Sequence, residues 1–128
     1  METRKTILIV DDEPSMRLLL QAELEDEGYR VLTAATGEEA LDLFDRQAPD
    51  LVALDIKMPG MGGIRTLERL RERSLQVPVI MLTAYPEYRN DFNTWSSDDY
   101  VVKSSDLTEL KDKIRFHLNR KEHPHGSR

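Results

Sequence analysis

Four of the five apolar runs in the sequence end at polar side chains that can carry out chemistry. Asp11 and Asp12 follow the first run, Asp55 the third, Thr83 the fourth and Lys103 the fifth. In an open parallel sheet, the carboxyl ends of the strands line a single crevice. The sequence therefore predicts that three carboxylates, a hydroxyl and an ammonium group come together at that edge.

This set of groups suits phosphoryl chemistry at a carboxylate. Carboxylates within a few ångströms of one another raise each other's proton affinity, and a divalent cation relieves the repulsion. An all-oxygen cluster favours Mg²⁺ or Mn²⁺ over zinc. A carboxylate can attack phosphorus to form an acyl phosphate, while the metal, the ammonium and the hydroxyl stabilise the charge of the transferring group.

The elements that must position these groups alternate between strand and helix patterns. The apolar runs predicted as strands are 6–10, 29–34, 51–54, 77–82 and 100–102. Because these runs are continuously apolar, they indicate a parallel sheet covered on both faces. With right-handed crossovers, the sequence predicts an α/β doubly wound fold of five strands and five helices.

Several helix starts carry their own signals. Pro14 fits the first turn of the first helix, and Thr36 with Glu39 forms a capping box at the start of the second. The third helix follows the glycine-rich 58–63 loop, and the fourth, over 87–95, has only a weak pattern. The last helix is predicted to begin near Ser105, where Asp106 and Glu109 offer a second capping box.

Length and composition limit the possible functions. The 128 residues suit one domain, over 1–120, with 121–128 expected to form a flexible tail. The net charge of −6 argues against direct nucleic-acid binding. Apolar runs are too short to predict a membrane span, and the absence of cysteine fits a reducing cytoplasm. The three histidines, His117, His123 and His125, are predicted to be solvated rather than metal ligands.

Four segments together resemble the receiver domains of bacterial response regulators, including the chemotaxis regulators. They are ILIVDDE at 7–13, ALDIKMPGMGG at 53–63, IMLTA at 80–84 and DDYVVK at 98–103. The resemblance covers residues 6–118. It implies a flavodoxin-like sheet with strand order 2-1-3-4-5 and a role in two-component signal transduction as part of a phosphorelay.

The resemblance implies a metal-assisted phosphorylation site. Asp55 would accept a phosphoryl group from the phosphohistidine of a sensor histidine kinase or phosphotransfer protein. Asp12 and Asp55 would bind Mg²⁺ directly and Asp11 through water. The backbone carbonyl of Lys57 would be a further ligand, shaped by the 58–63 loop.

The resemblance also implies a switching side of the site. Thr83 would bind a phosphoryl oxygen, Lys103 would pair with the phosphoryl group or with Asp55, and Tyr100 would change rotamer with the phosphorylation state. Lys57 and Tyr85 match positions that control the attack of water on the phosphoaspartate. A bulky Tyr85 would shield it, so we expect Tyr85→Ala to change the phosphoryl lifetime.

The sequence departs from the family pattern after the fourth strand. Ser104 stands where receivers usually carry proline, and this predicts a trans Lys103–Ser104 bond, because a cis bond before serine costs roughly 2.5–4 kcal/mol. Ser96 and Ser97 replace a usual Gly-Ala pair, and the interval from Thr83 to Lys103 is short. The fourth helix is therefore expected to be truncated or mobile.

The leading interpretation is a signalling switch rather than an enzyme, acting through a downstream output protein or an effector domain missing from this chain. Two alternatives remain open. A small Mg²⁺-dependent aspartyl phosphohydrolase would need a second acid two residues after the nucleophile, where this sequence has Lys57. A degenerate receiver would act only as a phosphorylation-independent interaction module.

Overall fold

A computed structural model describes residues 4–84, 97–104 and 106–122, with residues 121 and 122 described by their backbone only. Its strands are β1 (Thr6–Val10), β2 (Arg30–Ala34), β3 (Leu51–Asp55), β4 (Val79–Thr83) and β5 (Asp99–Val102). Its helices are α1 (Pro14–Asp26), α2 (Gly37–Gln47), α3 (Gly62–Arg73) and α4 (Thr108–Glu122). The helix predicted over 87–95 lies outside the described residues.

The five strands form one parallel sheet in the order β2-β1-β3-β4-β5, which confirms the predicted doubly wound fold. The register sets the site at the carboxyl edge of the sheet. Val10 pairs with Leu54, so Asp11 and Asp55 come next to each other on neighbouring strands. Thr83 pairs with Val102, one residue before Lys103.

Both faces of the sheet are covered, as the continuous apolar runs predicted. Alternate strand residues such as Leu8 and Leu54 pack with Leu67 beneath α2 and α3. Their neighbours, such as Ile9, pack with Leu20 beneath α1 and α4. The central strands are buried at every position, which fixes the strand ends that carry the polar groups.

The two predicted capping boxes have different outcomes. Thr36 accepts the Glu39 N–H at 3.1 Å, and Glu39 reaches back to the Ala35 N–H at 2.8 Å, so the first is confirmed in substance. The second prediction is wrong in its position, because α4 begins at Thr108. The Asp106 carboxylate accepts the Thr108 N–H at 3.0 Å. This hydrogen bond forms a turn from Asp106 to Thr108, directly before the helix.

The prediction of a solvated His117 is wrong. His117 is 4% exposed, and its Nε2 lies 2.9 Å from Asp99 Oδ2. Its Nδ1 lies 3.0 Å from an Arg120 nitrogen. Since a guanidinium only donates, Nδ1 must accept, and Nε2 then carries the proton given to Asp99. His117 follows Leu110 and Ile114 at helical spacing, a signal that points to the buried face. His123 and His125 lie outside the described residues.

Within the described residues, none of the helices combines the length and the hydropathy that a membrane span requires.

Candidate functional site

Three carboxylates meet where β1 and β3 end. Asp11, Asp12 and Asp55 each place an oxygen so that all three atoms lie within 4.8 Å of one another. Asp11 is fully buried and Asp55 is 4% exposed, while Asp12 is half-buried. The predicted convergence of the acids is therefore present. In such a cluster, repulsion between the charged forms makes a cation favourable.

Lys103 supplies one positive charge to this cluster. Its Nζ lies 2.8 Å from Asp11 Oδ2 and 3.4 Å from Asp55 Oδ2, and its side chain is 12% exposed. Burial alone would favour the neutral amine. Attraction to the nearby Asp11 and Asp55 carboxylates outweighs that effect and raises the pKa of Lys103 above its ordinary value.

The Lys103 ammonium does not fully offset the effects of burial and of the neighbouring carboxylates on Asp55. Burial is the main cause that raises the pKa of Asp55 from 3.8 to about 6, and the charges of Asp11 and Asp12 add to it against the opposing charge of Lys103. The ionised carboxylate, which is the nucleophilic form, is therefore costly to hold in the folded protein. A divalent cation beside it would lower that cost.

The donor atoms fit a hard cation. Asp11 Oδ2 is buried and, within the described part of the chain, it has the Lys103 ion pair but no hydrogen bond of acceptable geometry. Buried polar atoms without a hydrogen bond usually have another polar partner, such as a bound water or ion. Three carboxylates with no nitrogen or sulfur donor among them match the preference of Mg²⁺ for oxygen.

Asp12 and Asp55 open onto a cavity of about 250 Å³, large enough for a phosphoryl group beside a metal ion. It is lined by Asp12, Glu13, Asp55, Lys57, Ala84 and Lys103. Lys57 is exposed at its rim, in the loop that joins β3 to α3. That loop turns on Gly60 and Gly62, whose φ angles of 75° and 78° favour glycine.

The remaining predicted residues lie on β4 and β5. Thr83 is fully buried, and its carbonyl accepts the Lys103 N–H at 2.6 Å, which ties the two strand ends together. Tyr100 is half-buried against the core beneath α2 and α3. Tyr85 lies outside the described residues, so its shielding role stays a prediction.

Ser104 closes the loop after Lys103 without proline. The Lys103–Ser104 bond is trans, as predicted. The Ser104 hydroxyl donates to the Asp106 carbonyl at 3.0 Å and accepts the Asp106 N–H at 2.9 Å. In this chain the hydrogen bonds of the Ser104 hydroxyl restrain the loop. A proline at this position would restrain it through its ring instead.

Sequence reasoning missed two residues beside the acids. Glu13 places Oε1 3.6 Å from Lys103 Nζ, although its side chain is 61% exposed. Arg17 reaches back from α1 and donates to the Asp11 carbonyl at 2.6 Å. Both lie within five residues after Asp12, and that proximity in the chain is the signal that could have found them.

Residues 7–115, most of the chain, match the family model of the response regulator receiver domain. The chain belongs to that family. As a receiver domain it is the phosphoacceptor module of two-component signalling, and the strand order agrees with the flavodoxin-like fold that the resemblance implied.

Relatives of this receiver domain include proteins with and without a second region. The probable transcriptional regulator ycf27 of Cyanophora paradoxa is 44% identical over 123 residues, which are 94% of this chain and 51% of that protein. Sporulation initiation phosphotransferase F of Bacillus subtilis is 38% identical over 114 residues, 88% of this chain and 92% of that protein. The receiver domain thus spans about half the length of the first of these relatives.

A solved structure of the response regulator TrrA from Thermotoga maritima, in complex with Mg²⁺-BeF, is 48% identical with a TM-score of 0.86. The alignment covers 88% of this receiver domain and 98% of that chain. TrrA in complex with the histidine kinase ThkA matches with a TM-score of 0.84, over 89% of this chain and 98% of that chain.

Proposed function

We propose that Asp55 is the residue that accepts the phosphoryl group, in a reaction that requires Mg²⁺. The observation that carries this proposal is the position of the Asp55 carboxylate, within 4.8 Å of two other acids and 3.4 Å from Lys103. Asp11 is the most buried of the three acids, and its carboxylate is held by the Glu13 N–H and Lys103. Asp55 faces the cavity that a phosphoryl group can enter.

The proposed metal site uses the acids and one backbone oxygen. Asp12 and Asp55 bind the ion directly, Asp11 through water, and the carbonyl of Lys57 completes the protein ligands. Mn²⁺, which shares the preference for oxygen ligands, can replace Mg²⁺ in this proposal. When bound, the ion neutralises charge on the phosphoryl oxygens and on Asp55. The Mg²⁺-BeF complex of TrrA supports Mg²⁺ as the ion.

The proposed donor is the phosphohistidine of a sensor histidine kinase or of a phosphotransfer protein. An Asp55 oxygen forms a bond to phosphorus as the phosphorus–nitrogen bond of the donor breaks, and the freed imidazole nitrogen keeps the electron pair. Lys103 pairs with the incoming oxygens, and the Thr83 hydroxyl donates to one of them. The complex of TrrA with a histidine kinase supports a partner of this class.

The proposed output is a change on the β4–β5 side of the domain. A phosphoryl group adds about −1.5 to −2 charge units next to Thr83 and Lys103. Because the Thr83 carbonyl is bonded to the Lys103 N–H, a movement of either residue is passed to the other strand. Tyr100, three residues before Lys103 on β5, would report the change by its rotamer.

We propose a switch rather than an enzyme that releases product repeatedly. The phosphohydrolase alternative needs an acid where Lys57 lines the cavity. The degenerate-receiver alternative is disfavoured because the three acids lie together with Lys103, and Thr83 stands at the end of the neighbouring strand. Control of phosphoryl lifetime by Lys57 and Tyr85 is part of the proposal.

The context of the domain is also proposed. Residues 1–120 would form the receiver domain. The tail predicted over 121–128 begins too early, because α4 continues to Glu122, and residues 123–128 lie outside the described part of the chain. Output passes to a downstream protein or to an effector domain in the same polypeptide. The second possibility is supported by a match that covers only 51% of a probable transcriptional regulator. The net charge of −6 argues against direct nucleic-acid contact by this domain. A cytoplasmic location follows from a kinase donor that takes its phosphoryl group from ATP, and no membrane contact is proposed.

Acetyl phosphate provides the test. The chain is incubated with acetyl phosphate with and without Mg²⁺, and its intact mass is measured beside Asp55→Asn and a surface control, Asp42→Asn. We expect one phosphoryl adduct with Mg²⁺, retained in the control and lost in Asp55→Asn. Continuous phosphate release without an adduct would favour the hydrolase, and no adduct from either acetyl phosphate or a phosphorylated histidine kinase would favour the degenerate receiver.

A further inference from the structure

Asp11 is fixed through both its backbone and its side chain. Its N–H donates to the Ala34 carbonyl at 3.1 Å, and its Oδ1 accepts the Glu13 N–H at 2.9 Å. Its Oδ2 forms the ion pair with Lys103. The residue is fully buried, so the carboxylate has no room to swing towards solvent. The position of the Asp11 backbone therefore decides where this carboxylate lies.

Arg17 holds the remaining polar group of Asp11. Its Nη1 donates to the Asp11 carbonyl at 2.6 Å. β1 ends at Val10, so this carbonyl lies beyond the regular part of the strand, where a buried oxygen needs a partner from elsewhere. The hydrogen bond joins the first turn of α1 to the end of β1 and closes the short loop that carries Asp11 and Asp12.

The start of α1 makes this contact more important. The residue before the helix, Glu13, makes no side-chain capping hydrogen bond, and the first turn has no acidic residue. The Arg17 N–H is already bonded to the Glu13 carbonyl at 3.0 Å. Arg17 thus fixes the loop through its backbone at one point and its guanidinium at another.

We propose that Arg17 is a positioning residue for the metal site, which acts by holding Asp11 so that its carboxylate faces Asp12 and Asp55. This inference rests on the proposed Mg²⁺-dependent function of the cluster. Arg17 touches neither the metal nor the phosphoryl group, and its effect passes through the backbone of Asp11.

The direction in which the Mg²⁺ affinity changes when Arg17 is removed distinguishes a positioning role from a purely electrostatic one. As a cation near the cluster, Arg17 repels Mg²⁺, so its removal on electrostatic grounds alone would tighten Mg²⁺ binding. As a positioning residue it favours binding, so its removal weakens it. Loss of a group that orients a metal ligand typically costs 10–100-fold in affinity. We expect about a 10-fold loss, because water can replace part of the hydrogen bond.

Isothermal titration calorimetry with Mg²⁺ at fixed ionic strength measures this effect on the full chain. The variants are Arg17→Met, Arg17→Lys and a control of equal charge change, Arg46→Met, whose side chain is 64% exposed on α2. We expect weaker binding in Arg17→Met, intermediate binding in Arg17→Lys and unchanged binding in Arg46→Met. Equal or tighter binding in Arg17→Met would overturn the proposal. If Arg17→Met does not fold, Arg17→Lys decides the question by the same comparison.

A double-mutant cycle and a metal-free measurement exclude a merely structural role. In an Asp11→Asn background, Arg17→Met should weaken Mg²⁺ binding much less, because the ligand it positions is already lost. In the metal-free protein, the Glu13 amide should exchange its hydrogen faster in Arg17→Met, while the Leu8 amide within β1 keeps its rate. Equal acceleration at both amides, or an undiminished effect in the Asp11→Asn background, would contradict positioning. If the unchanged chain takes up phosphate at Asp55 but Arg17→Met binds Mg²⁺ normally, only this inference fails.

Discussion

Gly63 lies so close to the backbone of Asp55 that a Cβ atom at position 63 would overlap the Asp55 carbonyl oxygen. The Gly63 N–H donates to the Ile56 carbonyl at 2.9 Å. The first turn of α3 is therefore in direct contact with the end of β3. This contact places the acceptor carboxylate, and it admits only a residue without a side chain.

Gly63→Ala should damage both stability and phosphorylation. The added methyl group must push α3 away from the end of β3, and overpacking of this kind costs about 1–3 kcal/mol. Urea unfolding and the yield of phosphoryl adduct per folded molecule measure the two effects. Gly28→Ala is the control. A Cβ atom added there would meet nothing within 4 Å, so the only cost is to hold alanine at a φ of 100°. The Gly28→Ala variant should lose some stability but keep its yield of phosphoryl adduct. If Gly63→Ala kept both its stability and its yield, the close contact between Gly63 and Asp55 would not be needed.

Lys103→Met should destabilise the metal-free protein and tighten Mg²⁺ binding. Removal of the ammonium leaves two buried carboxylates without their counter-ion, and breaking such a pair costs roughly 3–5 kcal/mol. The same carboxylates then attract Mg²⁺ more strongly, because no cation competes with it. Lys111→Met is the matched control, because Lys111 pairs with the more exposed Glu23 and its loss should cost little. Weaker Mg²⁺ binding in Lys103→Met would contradict this account of Lys103.

Asp55→Asn should stabilise the metal-free protein above pH 6. The pKa of Asp55 is raised from 3.8 to about 6, so folding penalises the ionised form, and the penalty disappears as the pH falls towards 4. The variant should gain on the order of 2 kcal/mol at pH 7.5 and much less at pH 4. Unfolding by urea in EDTA at both pH values measures the gain, with Asp42→Asn as a control that should show no such dependence. An equal gain at both pH values would contradict the raised pKa.

The Asp99–His117 pair should show the opposite pH dependence. Burial alone would raise the pKa of Asp99, but hydrogen bonds from Lys113, His117 and the Tyr100 backbone lower it below 3.8. The stability that this carboxylate contributes is present above pH 3.8 and is lost as the pH falls through the lowered value.

His117→Leu removes one of those donors and should raise the pKa of Asp99, as followed by NMR of its carboxyl carbon. His117→Gln keeps a donor and an acceptor and should come closer to the unchanged chain. Because Asp99 begins β5, at the edge of the sheet opposite Asp55, neither variant should alter Asp55 phosphorylation. An unmoved Asp99 pKa in His117→Leu would show that the hydrogen bond contributes nothing.

The main lines of the fold could be predicted from the sequence because apolar runs and their polar ends are local patterns. The strand ends put Asp11, Asp55, Thr83 and Lys103 at one edge without any knowledge of distances. The strand order came from the resemblance and not from periodicity, since local patterns do not say which strands are neighbours.

The contacts that tune the site could not be predicted in the same way. Arg17 acts on Asp11 through a backbone carbonyl, and nothing in its residue type indicates that target. A buried histidine needs a hydrogen-bond partner. The partner of His117 is Asp99, 18 residues away, and local patterns do not show that the two residues meet. The predicted start of α4 lies too early because the type of Asp106 suits a helix cap, whereas its carboxylate accepts the Thr108 N–H in a turn before the helix.

The central claim is that the phosphoryl group is attached to Asp55, and chemical reduction tests it most directly. The chain phosphorylated with Mg²⁺ and acetyl phosphate is treated with borohydride, which reduces an aspartyl phosphate to homoserine, and its peptides are sequenced by tandem mass spectrometry. We predict homoserine at position 55 alone. Homoserine at Asp11 or Asp12, or unmodified aspartate at all three positions in a chain that carries the phosphoryl adduct, would contradict the account.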